Sequence, residues 1–79
     1  MSDSNHALTH DFPEFYNRIR SLHIEDSDFR QQNERYHALD RQINALEARG
    51  VPIDDQTFVD MKMERANLKD ALYQRLIER

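Results

Sequence analysis

His6 and His10 stand four residues apart, with Asp3 and Asp11 beside them. On a helix that spacing puts both imidazoles on one face, a two-ligand pattern for a divalent metal. No third strong ligand follows at a defined spacing, and the pair sits in a polar stretch, so no metal site is expected. His23 falls at the end of a short helical pattern and reads as a terminal or surface residue. His37 has Glu34 and Asp40 three residues to either side, the setting of a surface imidazole near carboxylates rather than of proton chemistry. Nucleophilic catalysis has no starting point. Ser2, Ser4, Ser21 and Ser27 lie in the N-terminal stretch or at helix ends, without an arranged base. The chain has one glycine, so no glycine-rich loop can cradle phosphate. Neither a catalytic residue nor a cofactor is expected, and the chain reads as no enzyme.

The elements that would carry any function are helices. Phe29, Tyr36 and Ile43 recur every seventh residue, with Leu39 and Leu46 in offset positions. Phe58, Met61, Leu68, Leu72 and Leu76 keep a similar rhythm of threes and fours. Each set lies on one helical face. Between them, Gly50-Val51-Pro52 supplies a hinge: Gly50 suits a left-handed C′ position, Val51 would reach back to Leu46, and Pro52 blocks continuation. Asp54 caps the next helix, with Ile53 and Phe58 at the positions of a hydrophobic staple. The expected fold is all-α, an antiparallel helical hairpin of coiled-coil type with a short N-terminal helix. Residues 11–79 form this single domain, and residues 1–10 precede it as a mobile polar tail.

The N-terminal helix starts at Asp11-Phe12-Pro13-Glu14, where Asp11 and Glu14 have capping-box spacing and Pro13 suits a first turn. Phe12, Phe15, Tyr16, Ile19 and Leu22 share its apolar face. Glu25-Asp26-Ser27-Asp28 interrupts it. Any of Asp26, Ser27 or Asp28 can cap the following helix, Asp28 having box spacing to Gln31.

The stripes also set a register. With Leu46 opposite Phe58, Ile43 meets Met61, Leu39 meets Arg65, Tyr36 meets Leu68 and Gln32 meets Leu72. Arg65 can cover apolar surface with its stem while its head reaches outward, and Asp40 is the nearest acid. A single polar residue at a seam position fixes register at some cost in stability.

The last helix carries a second stripe: Val59, Met63, Ala66, Tyr73 and Ile77, interrupted only by Asp70. A two-helix hairpin buries one face of each helix, so something else must cover this one. The N-terminal helix, a second copy of the chain or a different protein are the three options. Val59, Met63, Tyr73 and Ile77 are therefore the candidate protein-interaction residues.

Composition narrows the function classes. Seventy-nine residues allow one small domain. Leu, Ile, Val and Phe make up about 23% of them, above the roughly 20% below which disorder is expected. The net charge of −4 resides wholly in residues 1–28, and residues 29–79 balance. Phosphate backbones attract concentrated basic stripes, and none is present, which speaks against nucleic acid. Its alternative remains a regulator that touches nucleic acid or a ribonucleoprotein through Arg18, Arg20, Arg30 and Arg35. The chain has no cysteine, consistent with a reducing cytosol. Met1 to Leu8 lacks a secretory signal's basic and apolar parts, and no run approaches the ~18 apolar residues of a membrane span. A cytoplasmic location, with no membrane contact, is expected.

Three blocks of sequence, His10-Asp11-Phe12-Pro13-Glu14-Phe15, Tyr36-His37-Ala38-Leu39-Asp40 with Ile43, and Leu68-Lys69-Asp70-Ala71-Leu72-Tyr73, resemble the YdcH family of small bacterial proteins of unknown function. The resemblance implies a helical hairpin in a bacterial cytosol and assigns no catalytic residue. Thr57-Phe58-Val59-Asp60-Met61-Lys62-Met63 is more apolar than the family's usual pattern at that place. The function class this leaves is a non-enzymatic hairpin acting through protein–protein contact or self-association.

Overall fold

The computed structural model describes residues 6–50 and 53–78, and for His6 and Ala7 the backbone alone. Among the described residues the chain is helical almost throughout and has no strand. Helix α1 spans His6–Asp11, a 3₁₀ turn spans Pro13–Phe15, α2 spans Tyr16–Glu25, α3 spans Ser27–Arg49 and α4 spans Asp55–Ile77. Helix α3 is the central element, packed against α4, α2 and α1.

The hairpin forms as the stripes require. Gly50 takes φ 63° and ψ 29°, and its N–H donates to the Leu46 carbonyl at 3.0 Å. This left-handed turn ends α3, where a side chain would strain the backbone. Asp54 caps α4 by accepting from the Thr57 N–H at 3.0 Å and its hydroxyl at 3.1 Å. The expected contact of Val51 with Leu46, and Pro52, lie outside the described residues. Ile53 and Phe58 are both half-buried.

Three ion pairs lace the seam: Arg35 to Glu64 at 2.7 Å, Arg65 to Asp40 at 2.9 Å, and Lys62 to Glu47 at 3.6 Å. They place α3 and α4 antiparallel in the expected register, with Arg65 at the height of Leu39 and its head on Asp40. The two outer pairs are about half exposed and add little stability, while the Arg65–Asp40 pair is part-buried. One layer is filled differently. Gln32 is exposed, and its neighbour Asn33 is wholly buried.

The N-terminal third departs most from expectation. Residues 6–10 are helical, not tail, and Leu8 is fully buried. The tail boundary is thus corrected; residues 1–5 lie outside the described ones. The Asp11–Glu14 capping box does not form, because the 3₁₀ turn starts after Phe12 without a side-chain cap. Asp11 closes α1 instead, and its carboxylate turns to Tyr36 and Lys69. Tyr16 is half exposed rather than buried. The break between α2 and α3 is a single residue, Asp26, and neither Ser27 nor Asp28 provides the cap.

The main core joins these pieces at the end of the hairpin opposite the hinge. Leu8, Ile19, Leu22, Phe29, Tyr36, Leu72 and Leu76 form one buried cluster, with Phe12, Phe15 and Leu68 packed on it. Toward the hinge, among the described residues, only Leu39 and Ile43 are fully covered, and Leu46, Ile53 and Met61 line an open groove of about 470 Å³. Because Leu8 sits wholly within the cluster, Leu8→Ala should lower the unfolding free energy by ~2–5 kcal/mol, as other buried Leu→Ala changes do. Denaturant titration reads this directly, and a loss within error would return residues 6–10 to the status of a tail. Asp26 adds a pH dependence. Its carboxyl lies below the ordinary 3.8, chiefly because it accepts from the Phe29 N–H and also because it pairs with Arg75. A depressed folded-state value means that its contribution is present above 3.8 and lost as the pH falls below. Acid titration of the Asp26→Asn variant should therefore show a shallower stability loss below that pH than the parent chain. Parallel acid limbs would contradict the assignment.

Candidate functional site

Two surfaces of α4 carry the side chains that could act on anything outside the chain. The first is the second apolar stripe. Val59 is 49% exposed, Met63 58%, Ile77 47% and Tyr73 37%. All four candidate residues lie along one side of α4, with exposed Ala66 and Asp70 between them. Tyr73 differs from the rest because the chain entering α2 meets it. The Phe12 ring lies 5.2 Å from the Tyr73 ring and the Phe15 ring 6.2 Å, near edge-on. Such aromatic contacts are favourable beyond the area they bury. The N-terminal segment therefore covers one position of the stripe and leaves Val59, Met63 and Ile77 about half in water. Asp70 makes no hydrogen bond or ion pair among the described residues.

The second surface is a polar groove of about 350 Å³ between α3 and α4, roofed by the end of α1. Tyr36 stands at its inner wall and donates its hydroxyl to Asp11 at 2.5 Å. Lys69 approaches the same carboxylate at 3.6 Å and lies over the Phe12 ring. Arg65 holds Asp40 at 2.9 Å. Burial, and then the Asp11 hydrogen bond, push the Tyr36 phenol well above its ordinary 10.0. It stays a hydrogen-bond donor throughout the neutral range, the opposite of an activated nucleophile or base. The chemistry this arrangement supports is a latch: a buried donor locks the last residue of α1 to α3, while Lys69 ties it to α4.

Helix α1 carries both His6 and His10, one turn apart, and the arginines considered for nucleic acid are spread over α2 and α3. His10 is exposed, and Asp3 and the His6 side chain lie outside the described residues. Among the described residues no group of three or more His, Asp or Glu side chains could hold a metal ion. His23 is half-buried, with its Nδ1 3.5 Å from the Asn33 amide nitrogen. His37 is half-buried too, and its Nδ1 is covered without a hydrogen-bond partner among the described residues; His23 lies in the last turn of α2, at a helix end as expected, whereas His37 is not the surface group expected. The arginines serve the fold. Arg18 donates to the carbonyls of Arg75 at 3.2 Å and Glu78 at 3.0 Å, closing the end of α4. Arg30 donates to the His23 and Ile24 carbonyls, closing the end of α2. Arg35 grips Glu64 with two hydrogen bonds, and Arg20 lies over the Tyr16 ring. Cations at helix C-termini meet both orphan carbonyls and the helix dipole. Sequence spacing carries no signal for these long-range caps, nor for the burial of Asn33.

The Tyr36 latch has a measurable signature. A raised folded-state phenol contributes stability that is complete below 10.0 and lost as the pH climbs above it. Tyr36→Phe should lower stability at neutral pH, since it removes a half-buried charge-assisted bond worth about 1.5–3 kcal/mol. It should also flatten the decline above pH 10. The difference in phenolate absorbance between the parent chain and Tyr36→Phe should show Tyr36 ionising only on unfolding. A Tyr36 phenolate that forms in the still-folded chain close to the ordinary 10.0 would refute the latch.

Comparison with known proteins places the hairpin in a family. A family model described as "Protein of unknown function (DUF465)" matches residues 29–76, which is nearly all of α3, the hinge and nearly all of α4. No curated protein and no solved structure matches the chain. Two of the three resembling blocks, Tyr36–Asp40 and Leu68–Tyr73, fall inside the matched span, and His10–Phe15 precedes it. The matched span thus contains Tyr36, Asp40, Arg65 and the α4 row from Val59 to Tyr73, while Asp11, Phe12, Phe15 and Ile77 lie outside it. The chain belongs to the DUF465 family, the YdcH-like small helical proteins of unknown function.

Proposed function

We propose that this protein is a non-enzymatic interaction module that makes protein–protein contacts through the outward face of α4. The observation that carries the reading is the half-exposed row of Val59, Met63 and Ile77 on a helix whose opposite face is already buried against α3. Large apolar side chains that share one face on a small domain mark a contact surface. Among the described residues the aromatic cover from the N-terminal segment is on Tyr73, and Val59, Met63 and Ile77 stay about half exposed. Chemistry elsewhere does not compete with this reading: the polar groove holds carboxylates already matched by Lys69 and Arg65. A nucleic-acid partner is disfavoured because Arg18, Arg30 and Arg35 have partners within the fold. Among the described residues no helix is long and apolar enough to cross a membrane.

The test replaces the two most open positions near the hinge, away from the aromatic trio. Burying one such side chain fully is worth ~1.5–3 kcal/mol, and about half of each remains to be buried. Val59→Glu with Met63→Glu also sets two charges in any contact made there. The double variant should keep its helicity and melt within a few degrees of the parent, yet lose at least tenfold in affinity for whatever the face binds. Circular dichroism, sedimentation and capture from the native lysate read the three quantities. Unchanged mass distribution together with unchanged capture would defeat the proposal.

A further inference from the structure

We propose that the occupant of this face is a second copy of the chain, pairing α4 with α4 antiparallel about a two-fold axis between Ala66 and Asp70. The proposal rests on reading the face as a contact surface and names what covers it. Val59, Met63, Ala66, Asp70, Tyr73 and Ile77 step alternately by four and three residues, the rhythm of a seam between two helices. Reversed, this row is its own complement: Val59 faces the second copy's Ile77, Met63 faces its Tyr73, and Ala66 faces its Asp70. Sliding by one heptad in either direction leaves two of the large apolar residues unpaired in each copy. A parallel pairing in register sets Asp70 against Asp70. Only the antiparallel register matches all four apolar residues and separates the acids.

Charge agrees with the same register. Asp70 is exposed and has no ion pair or hydrogen bond among the described residues. It would lie over Ala66, the smallest residue of the row, which leaves room for a carboxylate. Lys62 and Lys69 stand one turn to either side of Ala66, on the same edge of α4. Both lysine side chains are about 45% exposed, and their ammonium groups reach their own acids, Glu47 and Asp11, only at 3.6 Å, so each keeps donors for a second carboxylate. The two-fold axis repeats the contact, giving a self-complementary patch with an acid–base pair on either side of its centre. The aromatic trio of Phe12, Phe15 and Tyr73 then receives Met63 from the second copy, a methionine-on-aromatic contact.

The chain lacks cysteine, so one introduced cysteine carrying a nitroxide reports only distances between copies. At Asn67→Cys, next to the axis, the pair should lie within about 20 Å; at Gln56→Cys the ~1.5 Å rise per residue puts the pair about 36 Å apart. Sedimentation of the full chain at up to about 1 mM should show a dimer. Ala66→Asp, which faces one carboxylate with another, should weaken that dimer at least tenfold while leaving helicity unchanged. Short distances at both positions would mean a parallel pair and overturn the proposal. So would a dimer indifferent to Ala66→Asp. A monomer at all concentrations would overturn it as well, and if Val59→Glu with Met63→Glu still abolished capture of another protein, the contact reading of the face would stand without it.

Discussion

Asp26 is the residue on which three helices meet. Its N–H donates to the Leu22 carbonyl at 2.9 Å and ends α2. Its carboxylate accepts from the Phe29 N–H at 3.1 Å and starts α3. The same carboxylate holds Arg75, near the end of α4, at 2.6 Å. A single extended residue therefore reverses the chain and pins the reversal to the far helix. Around it the cations complete the junction, Arg30 on the last carbonyls of α2 and Arg18 on those of α4. Without this knot α2 would have no fixed angle to α3, and at ten residues it is too short to persist alone.

From that junction follows the unequal build of the hairpin. Where α1 and α2 fold over it, Leu8, Ile19 and Leu22 join Phe29, Leu72 and Leu76 in one core. A chain of this size cannot close a core from two helices, and the N-terminal helices supply the missing layer at one end only. The hinge end keeps a thinner seam and an open groove. Among the described residues the outward face of α4 is what remains, with Phe12 and Phe15 covering Tyr73. The proposed contact face is the part of α4 that the described fold leaves uncovered.

The hairpin was legible because its signals are local and repeated. Seven-residue spacing marked both seams, Gly50 and Asp54 marked the turn, and Asp40 with Arg65 marked the register. The misses share the opposite character. Residues 6–11 carry one large apolar side chain, Leu8, and one residue sets no period, yet its burial decides that α1 docks. The Asp11–Glu14 spacing satisfied a local rule, but Asp11 gains more from Tyr36, twenty-five positions away. Asn33 beside Gln32 could not be ranked for burial without the facing helix. Of the candidate surface, the row on α4 was readable from periodicity, whereas the capture of Tyr73 by Phe12 and Phe15 required the fold of α1.

Membership of the DUF465 family covers α3 and α4 and stops before the N-terminal helices, so the account's central claim is that those helices belong to the same cooperative body as the hairpin. Native-state hydrogen exchange of the full chain tests it most directly. The account predicts that the amides of His23 in α2 and Asp26 at the junction exchange with free energies close to those of Leu39 and Ile43 in α3, within about 1.4 kcal/mol or tenfold in rate. Exchange of the α2 amides several decades faster than that of the α3 core would mean that the N-terminal helices open on their own, and would contradict it.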